Sequence, residues 1–185
     1  MYKIIETISI TFAFYLLLFV LWTIFIVPVE SSNQSVALGS LLFLPHAARV
    51  IPVIYFGPWA IIGVLIAEFV CWQYIWPFDI FDRTGAGVLI STSAVGLTWL
   101  FFKLLDAELK AFGNLQHTNY KHVLIFVIFS SLFNGLGNGA YYPLLDETHQ
   151  HQPGVSIRFV LGDIFGTLTV IFGLVLFRKV TKDIL

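Results

Sequence analysis

The chain has 185 residues, of which 58% are hydrophobic, 17% aromatic and 11% charged, with a net charge of -1 and a mean hydropathy of +0.87. Soluble domains carry about 25% charged residues, so this balance excludes an ordinary water-soluble domain and identifies an integral membrane protein. The near-zero net charge gives no basis for a nucleic-acid partner, and the single Cys71, set in an apolar run, excludes a disulfide framework or a Cys-based metal site.

The first apolar segment runs from about Thr7 to Val27. It is too long for a signal-peptide core, and no Ala-x-Ala-like cleavage site follows it, so it is expected to be a retained spanning helix. Pro28, Glu30 and the polar run Ser31–Ser35 are expected to end it.

The second segment, Val36–Phe56, carries Pro45 and Pro52 within it, with His46 and Arg49 three residues apart on one helical face. Proline removes a backbone donor and kinks or breaks a helix. Broken helices at membrane depth are tolerated where they line protein or a watery cavity. Two forms are open here, one kinked span or two short pieces. Arg49 either snorkels or serves function.

Gly57 and Pro58 turn the chain into a third segment, Trp59–Trp76, with Glu68 near its middle. Trp72, Tyr74 and Trp76 read as an interfacial aromatic belt. A polar loop with Pro77, Asp79, Asp82 and Arg83 leads to a fourth segment, Gly85–Phe102. Ser91, Thr92, Ser93, Gly96 and Thr98 give it a small, mildly polar face suited to close packing. The connector from Lys103 to Lys121 is charged, and its first part, to Phe112, either continues the helix or lies along the interface.

The fifth segment, His122–Leu145, contains Gly135 and Gly139 as a Gly-x-x-x-Gly pattern, which favours helix contact in membranes. Asn134 and Asn138 share one face and either bind a ligand or hydrogen-bond a neighbouring helix. The following loop holds Asp146, Glu147, His149 and His151, but no ligand set with recognisable metal spacing.

The sixth segment, Ile157–Phe177, is long enough to cross a bilayer, which takes about 20 apolar residues. Asp163 lies inside it and Arg158 near its start. A carboxylate within a spanning helix costs at least about 2.5 kcal/mol by insertion scales. Asp163 is therefore expected to face the bundle and meet a partner.

The chain is thus read as one domain, residues 1–185, an all-α polytopic bundle of six segments. The positive-inside rule sets its orientation. With both ends cytoplasmic, the inner side holds Lys3, Lys103, Lys110, Lys121, Arg178, Lys179 and Lys182, and the outer loops hold Arg83 with five acidic residues, Glu30, Asp79, Asp82, Asp146 and Glu147. Depth then pairs Arg49 with Glu68 near the middle. His46, Asn134, Asn138 and Asp163 are expected to line a cavity open to the outside, with Arg158 at its mouth or on lipid phosphates. Few polar groups among many aromatics suit a small organic ligand. The competing reading is that the same groups satisfy one another and hold the helices in register. Glu68, His46 and Asp163 are of acid–base type, but no nucleophile, metal set or cofactor motif accompanies them, so neither an enzyme nor a cofactor is expected.

Two stretches carry a family resemblance. Leu44-Pro45-His46-Ala47-Ala48, followed by Gly57-Pro58-Trp59 and the apolar run to Glu68, resembles the early signature of the membrane-associated sensor (MASE) domain of the first type. Arg158 to Leu168, with Gly162-Asp163 and then Gly166, resembles that family's closing signature. The matches cover about a quarter of the chain. The resemblance implies a membrane-embedded input domain, as found in bacterial histidine kinases and diguanylate cyclases. The chain departs from the family in having Phe172 where Pro is frequent, in its lower segment count, and in having no output sequence after Leu185, so such a sensor is expected to signal through a separate protein. In architecture the chain is also similar to the substrate-binding subunits of energy-coupling-factor vitamin transporters. The first segment lacks the Ala-x-x-x-Ala pattern with which that family docks its transport partner, since Ala13 is its only alanine.

The expected function is a stand-alone, sensor-like protein of the bacterial or archaeal inner membrane that recognises a small ligand or a membrane partner from the outer side. The alternative is the membrane subunit of a small-molecule transporter.

Overall fold

The computed structural model describes residues 2–31, 39–75, 85–107, 120–145 and 154–184. Every regular element among them is helical. Helix α1 spans Tyr2–Leu21 and runs through a π-helical turn, Trp22–Ile26, into α2, Val27–Ser31. Helix α3 spans Pro45–Phe56 and α4 spans Trp59–Val70, the latter extended by a π-helical turn, Cys71–Ile75. Helices α5, α6 and α7 span Ala86–Leu104, Tyr120–Leu145 and Gly154–Ile184.

Among the described residues, four helices are long and apolar enough to cross a membrane: Tyr2–Glu30, Ala86–Leu104, Lys121–Tyr141 and Gly154–Thr181. The apolar helix Trp59–Ile75 is shorter, and α3 has only 12 residues. Helix α7 has 31 residues and is therefore about 46 Å long at 1.5 Å per residue, well beyond a hydrocarbon core of about 30 Å.

Several local expectations are corrected. Pro28 does not end the first helix. Its ring and missing N–H disturb the bond to the carbonyl four residues back. The π-helical turn sits just before it, with the Val27 N–H bonded to Trp22 O, five residues back. That widening takes up the defect, and the helix continues to Ser31. The Val36–Phe56 segment is neither one kinked span nor two helices in its described part. Residues 39–44 form no regular helix, and α3 begins at Pro45, the position where a proline's missing N–H costs least. Pro52 is accommodated inside α3. Helix α5 stops at Leu104, followed by Asp106 in the left-handed region at φ 53°. Trp72 is not part of an interfacial belt. It packs inward against Phe19, with ring centroids 5.4 Å apart, and against Trp22 and Phe43 at 6.2 and 6.5 Å. Trp76, the 77–84 loop, residues 108–119 and the loop with Asp146, Glu147, His149 and His151 lie outside the described residues.

Side-chain contacts fix the helix directions. Phe102 meets Phe126 and Phe101 meets Phe129 at one end of α5 and α6, whereas Ser91 meets Asn138 towards the other, so these two helices are antiparallel. Helices α6 and α7 are antiparallel as well, since Gly139 faces Ser156 and Asn134 faces Asp163. Helix α1 runs parallel to α4: Gly63 lies on Ile8 and Thr11, and Phe19 on Trp72. Thr92 on α5 reaches Glu68 on α4, and Ile61 of α4 lies by Gly96, so that pair is antiparallel. The start of α1 and the end of α7 consequently lie at the same end of the bundle. Lys103, Lys121, Arg178 and Lys179 collect there too.

Two glycine pairs permit the closest approaches. A Cβ on Gly139 would stand 2.8 Å from Ser156 Cβ, and one on Gly135 would stand 2.8 Å from Ser156 O. The Gly-x-x-x-Gly pattern of α6 is therefore the seat of α7. Gly139→Val is expected to destabilise the protein by about 1–3 kcal/mol through overpacking. Unfolding in lipid nanodiscs, repeated in a Ser156→Gly background, checks this. A Gly139→Val cost that Ser156→Gly fails to reduce would place the clash elsewhere.

On α7, Gly162 and Gly166 face the backbone of the 39–44 run, at Ser40 O and Phe43 O. That run is pinned by Phe43 N–H donating to Gly162 O at 3.0 Å. Trp22 Nε1 donates to Ser40 Oγ at 3.0 Å, and Leu41 N–H to Glu30 Oε1 at 2.9 Å. The non-helical run is thus held on α7 and against the first helix, with Gly39 and Ser40 buried and Leu41 exposed.

Candidate functional site

Pinning residues 39–44 on α7 fixes where α3 begins. His46 and Arg49, one turn apart, are then carried into the centre of the bundle, with exposures of 0% and 2%. His46 Nδ1 stands 3.3 Å from Asp163 Oδ2 on α7. Its Nε2 stands 3.0 Å from Ser130 Oγ and 3.3 Å from Ser131 Oγ on α6. Asn134 Nδ2 donates to Asp163 Oδ2 at 2.6 Å, and Asn138 Nδ2 donates to Asn134 Oδ1 at 2.7 Å and to Ser91 Oγ at 3.4 Å.

Arg49 Nη2 donates to Glu68 Oε1 on α4 in a short, buried ion pair. Thr92 Oγ1 of α5 donates to Glu68 Oε2 at 3.4 Å. The guanidinium lies 5.0 Å over the Phe43 ring. Arg49 Nη1 is also 3.5 Å from His46 Nδ1, which joins the two halves into one network. Side chains from five helices converge: α3, α4, α5, α6 and α7.

Six of the seven residues singled out from sequence meet in this network: His46, Arg49, Glu68, Asn134, Asn138 and Asp163. Arg158 does not. It lies at the other end of the 39–44 run, half-buried, with Nε donating to Gly39 O at 3.1 Å. The four residues expected to line a cavity touch one another instead, each no more than 2% exposed. A hollow of about 320 Å³ lies on the flank of α5 and α6 between Leu89, Ile90, Ser93, Leu97, Phe133 and Gly137. It is apolar and does not reach the network.

Sequence reasoning missed Ser130 and Ser131. The available signal was spacing: Ser130, Asn134 and Asn138 recur every four residues and so form one stripe on α6. Ser91 and Thr92 were read as packing residues, yet both join the network. The order Ser130, His46, Asp163 has the chemistry of nucleophile, base and orienting acid. Ser130 Oγ, however, donates to Val127 O at 3.0 Å, and all three residues are 0% exposed. In this closed arrangement the serine is not placed to attack a substrate.

Two buried atoms one turn apart on α7, Asp163 Oδ1 and Thr167 Oγ1, make no hydrogen bond in the structure. Buried polar groups are seldom left so. Among the described residues no group of three or more His, Cys, Asp or Glu is arranged to hold a metal. Comparison with protein-family models, with characterised proteins and with solved structures finds no match.

Proposed function

We propose that this protein is a sensor-like component of a bacterial or archaeal inner membrane, and that it reads a small polar ligand, or a membrane partner, at the His46–Asp163 network. The membrane arrangement proposed is six segments. The four long helices are joined by the Trp59–Ile75 helix and by the 39–56 stretch, which crosses as a non-helical run followed by α3. Both chain ends are assigned to the cytoplasm, since the basic residues gather at the end of the bundle where α1 starts and α7 finishes.

One observation carries the reading: Asp163 is fully buried, yet its Oδ1 is left without a hydrogen bond at the meeting point of the helices. A group so placed is a functional-site candidate by default. The unmet Asp163 Oδ1 asks for a hydrogen-bond donor, which favours small amines, amides or alcohols over apolar ligands. Binding there has to part the His46–Asp163–Asn134 contacts, and α3, α6 and α7 carry that change to their ends. A partner protein at the basic end is then the receiver. The transporter alternative rests on segment number and end placement alone.

The test is thermal unfolding in nanodiscs against a panel of small amines, amides and polyols. At least one compound is expected to raise the midpoint, and that shift is expected to vanish in both Asp163→Asn and His46→Gln while the variants stay folded. No stabilising compound, or a shift unchanged in both variants, refutes the assignment.

A further inference from the structure

We propose that His46 and Asp163 share one proton beyond those of a neutral imidazole and an ionised carboxylate, so that the centre of this bundle is a proton-binding site. The inference starts from charge, not from the sensor reading, and stands if that reading fails.

The groups around His46 can be taken helix by helix. Helix α1 contributes Tyr15, which is neutral in ordinary conditions. Helix α3 contributes Arg49 and α4 contributes Glu68, joined as an ion pair. Helix α5 contributes Ser91 and Thr92, and α6 contributes Ser130, Ser131 and Asn134, all uncharged. Helix α7 contributes Asp163. Arg49 therefore offers one positive charge against two carboxylates. With Arg49 and Glu68 cancelling, an ionised Asp163 beside a neutral imidazole leaves one uncompensated negative charge at 0% exposure. Buried charges that are unpaired neutralise instead. No second cation is at hand among the described residues: Lys3, Lys103, Lys121, Arg178 and Lys179 sit at the basic end, and Arg158 binds Gly39 O. One proton, on the imidazole or on the carboxyl, restores balance.

The geometry accepts that proton in either place. Taken up by the imidazole, it makes both ring nitrogens donors: Nδ1–H points to Asp163 Oδ2 at 3.3 Å, and the 3.5 Å contact of Arg49 Nη1 with Nδ1 gives way. Nε2–H then donates to Ser130 Oγ at 3.0 Å, whereas an Nε2 without a hydrogen accepts from the Ser131 hydroxyl at 3.3 Å. Ser130 can accept because its own hydrogen points to Val127 O. On Asp163, the proton adds at Oδ1, which makes no hydrogen bond, so none has to be broken. Two serines of opposite hydrogen-bond role let Nε2 carry a hydrogen or lack one without an unsatisfied state.

The experiment uses full-length protein in lipid nanodiscs near neutral pH, with aspartate carbon-13 labelled at the carboxyl. Water-exposed carboxylates are ionised there, so a carboxylic-acid carbonyl band that shifts with the label reports a core aspartate. Nitrogen NMR of labelled histidine reads the ring on the same unsubstituted protein. Two results support the proposal. One is the acid band, lost in Asp163→Asn. The other is a doubly protonated imidazole, lost in His46→Gln. An ionised carboxylate throughout, together with only neutral rings, overturns it even if neither variant folds. So does a proton that appears only when sodium is replaced by a large organic cation, since a metal ion would then be the natural occupant.

Discussion

Arg49→Met is expected to destabilise the protein by about 3–5 kcal/mol, the usual effect of removing one partner from a buried ion pair. The change takes the guanidinium from Glu68, from the face of Phe43 and from the ring nitrogen of His46 at once. Glu68, 1% exposed, keeps no cation beside it, only neutral hydroxyls such as that of Thr92 at 3.4 Å and that of Ser91. The charge-free double variant Arg49→Met/Glu68→Leu is expected to recover most of the loss, because buried pairs replaced by apolar residues of similar volume are often neutral. Chemical unfolding in nanodiscs measures both. If the double variant is as unstable as the single one, the cost comes from lost packing and not from an abandoned carboxylate.

The second large effect is expected at Gly166. A Cβ there falls on Phe43 O and the neighbouring backbone, which cannot turn aside as a side chain does. Overpacking costs about 1–3 kcal/mol in ordinary cores and more where the neighbour is rigid, so Gly166→Val is expected at or above the top of that range. Its consequence is also positional. Lifting residues 39–44 from α7 breaks the Phe43–Gly162 bond and moves the start of α3, which separates His46 from Asp163. Gly173→Ala is the control, for nothing lies within 4 Å of its added Cβ. It is expected to be neutral or to stabilise by up to about 1 kcal/mol. Spin labels at Leu42 and Val170 report the separation. An unchanged distance and midpoint in Gly166→Val would show that the loop is not seated on this glycine.

Depth alone pairs Arg49 with Glu68, and the structure holds them as an ion pair. That worked because alternating helix directions turn sequence position into height, and a carboxylate and a guanidinium at one height in an apolar layer have few other partners. The same logic puts Asp163, Asn134 and His46 in one region but leaves open whether they line a cavity or bond to one another; in the structure they bond to one another. It could not supply Ser130 and Ser131, whose hydroxyls are common in membrane helices and carry no charge to demand a partner. It also assigned Trp72 to the interface, since tryptophan's preference for the bilayer edge is a tendency of position and says nothing about which way a helix face turns.

Apolar composition and the length of the uncharged runs determined by themselves that the chain is helical and membrane-compatible, because lipid offers the backbone no hydrogen-bond partners and an α-helix satisfies its own. The ionisable residues that had to face inward were equally legible, since exposing them to acyl chains costs more than burying them together. Only the tertiary structure decided that Gly162 and Gly166 seat a non-helical run, that α3 starts at Pro45, and that the polar centre closes on itself. Those outcomes depend on backbone-to-backbone approach and on which lone pair each hydroxyl uses, and both are set when helices distant in sequence meet.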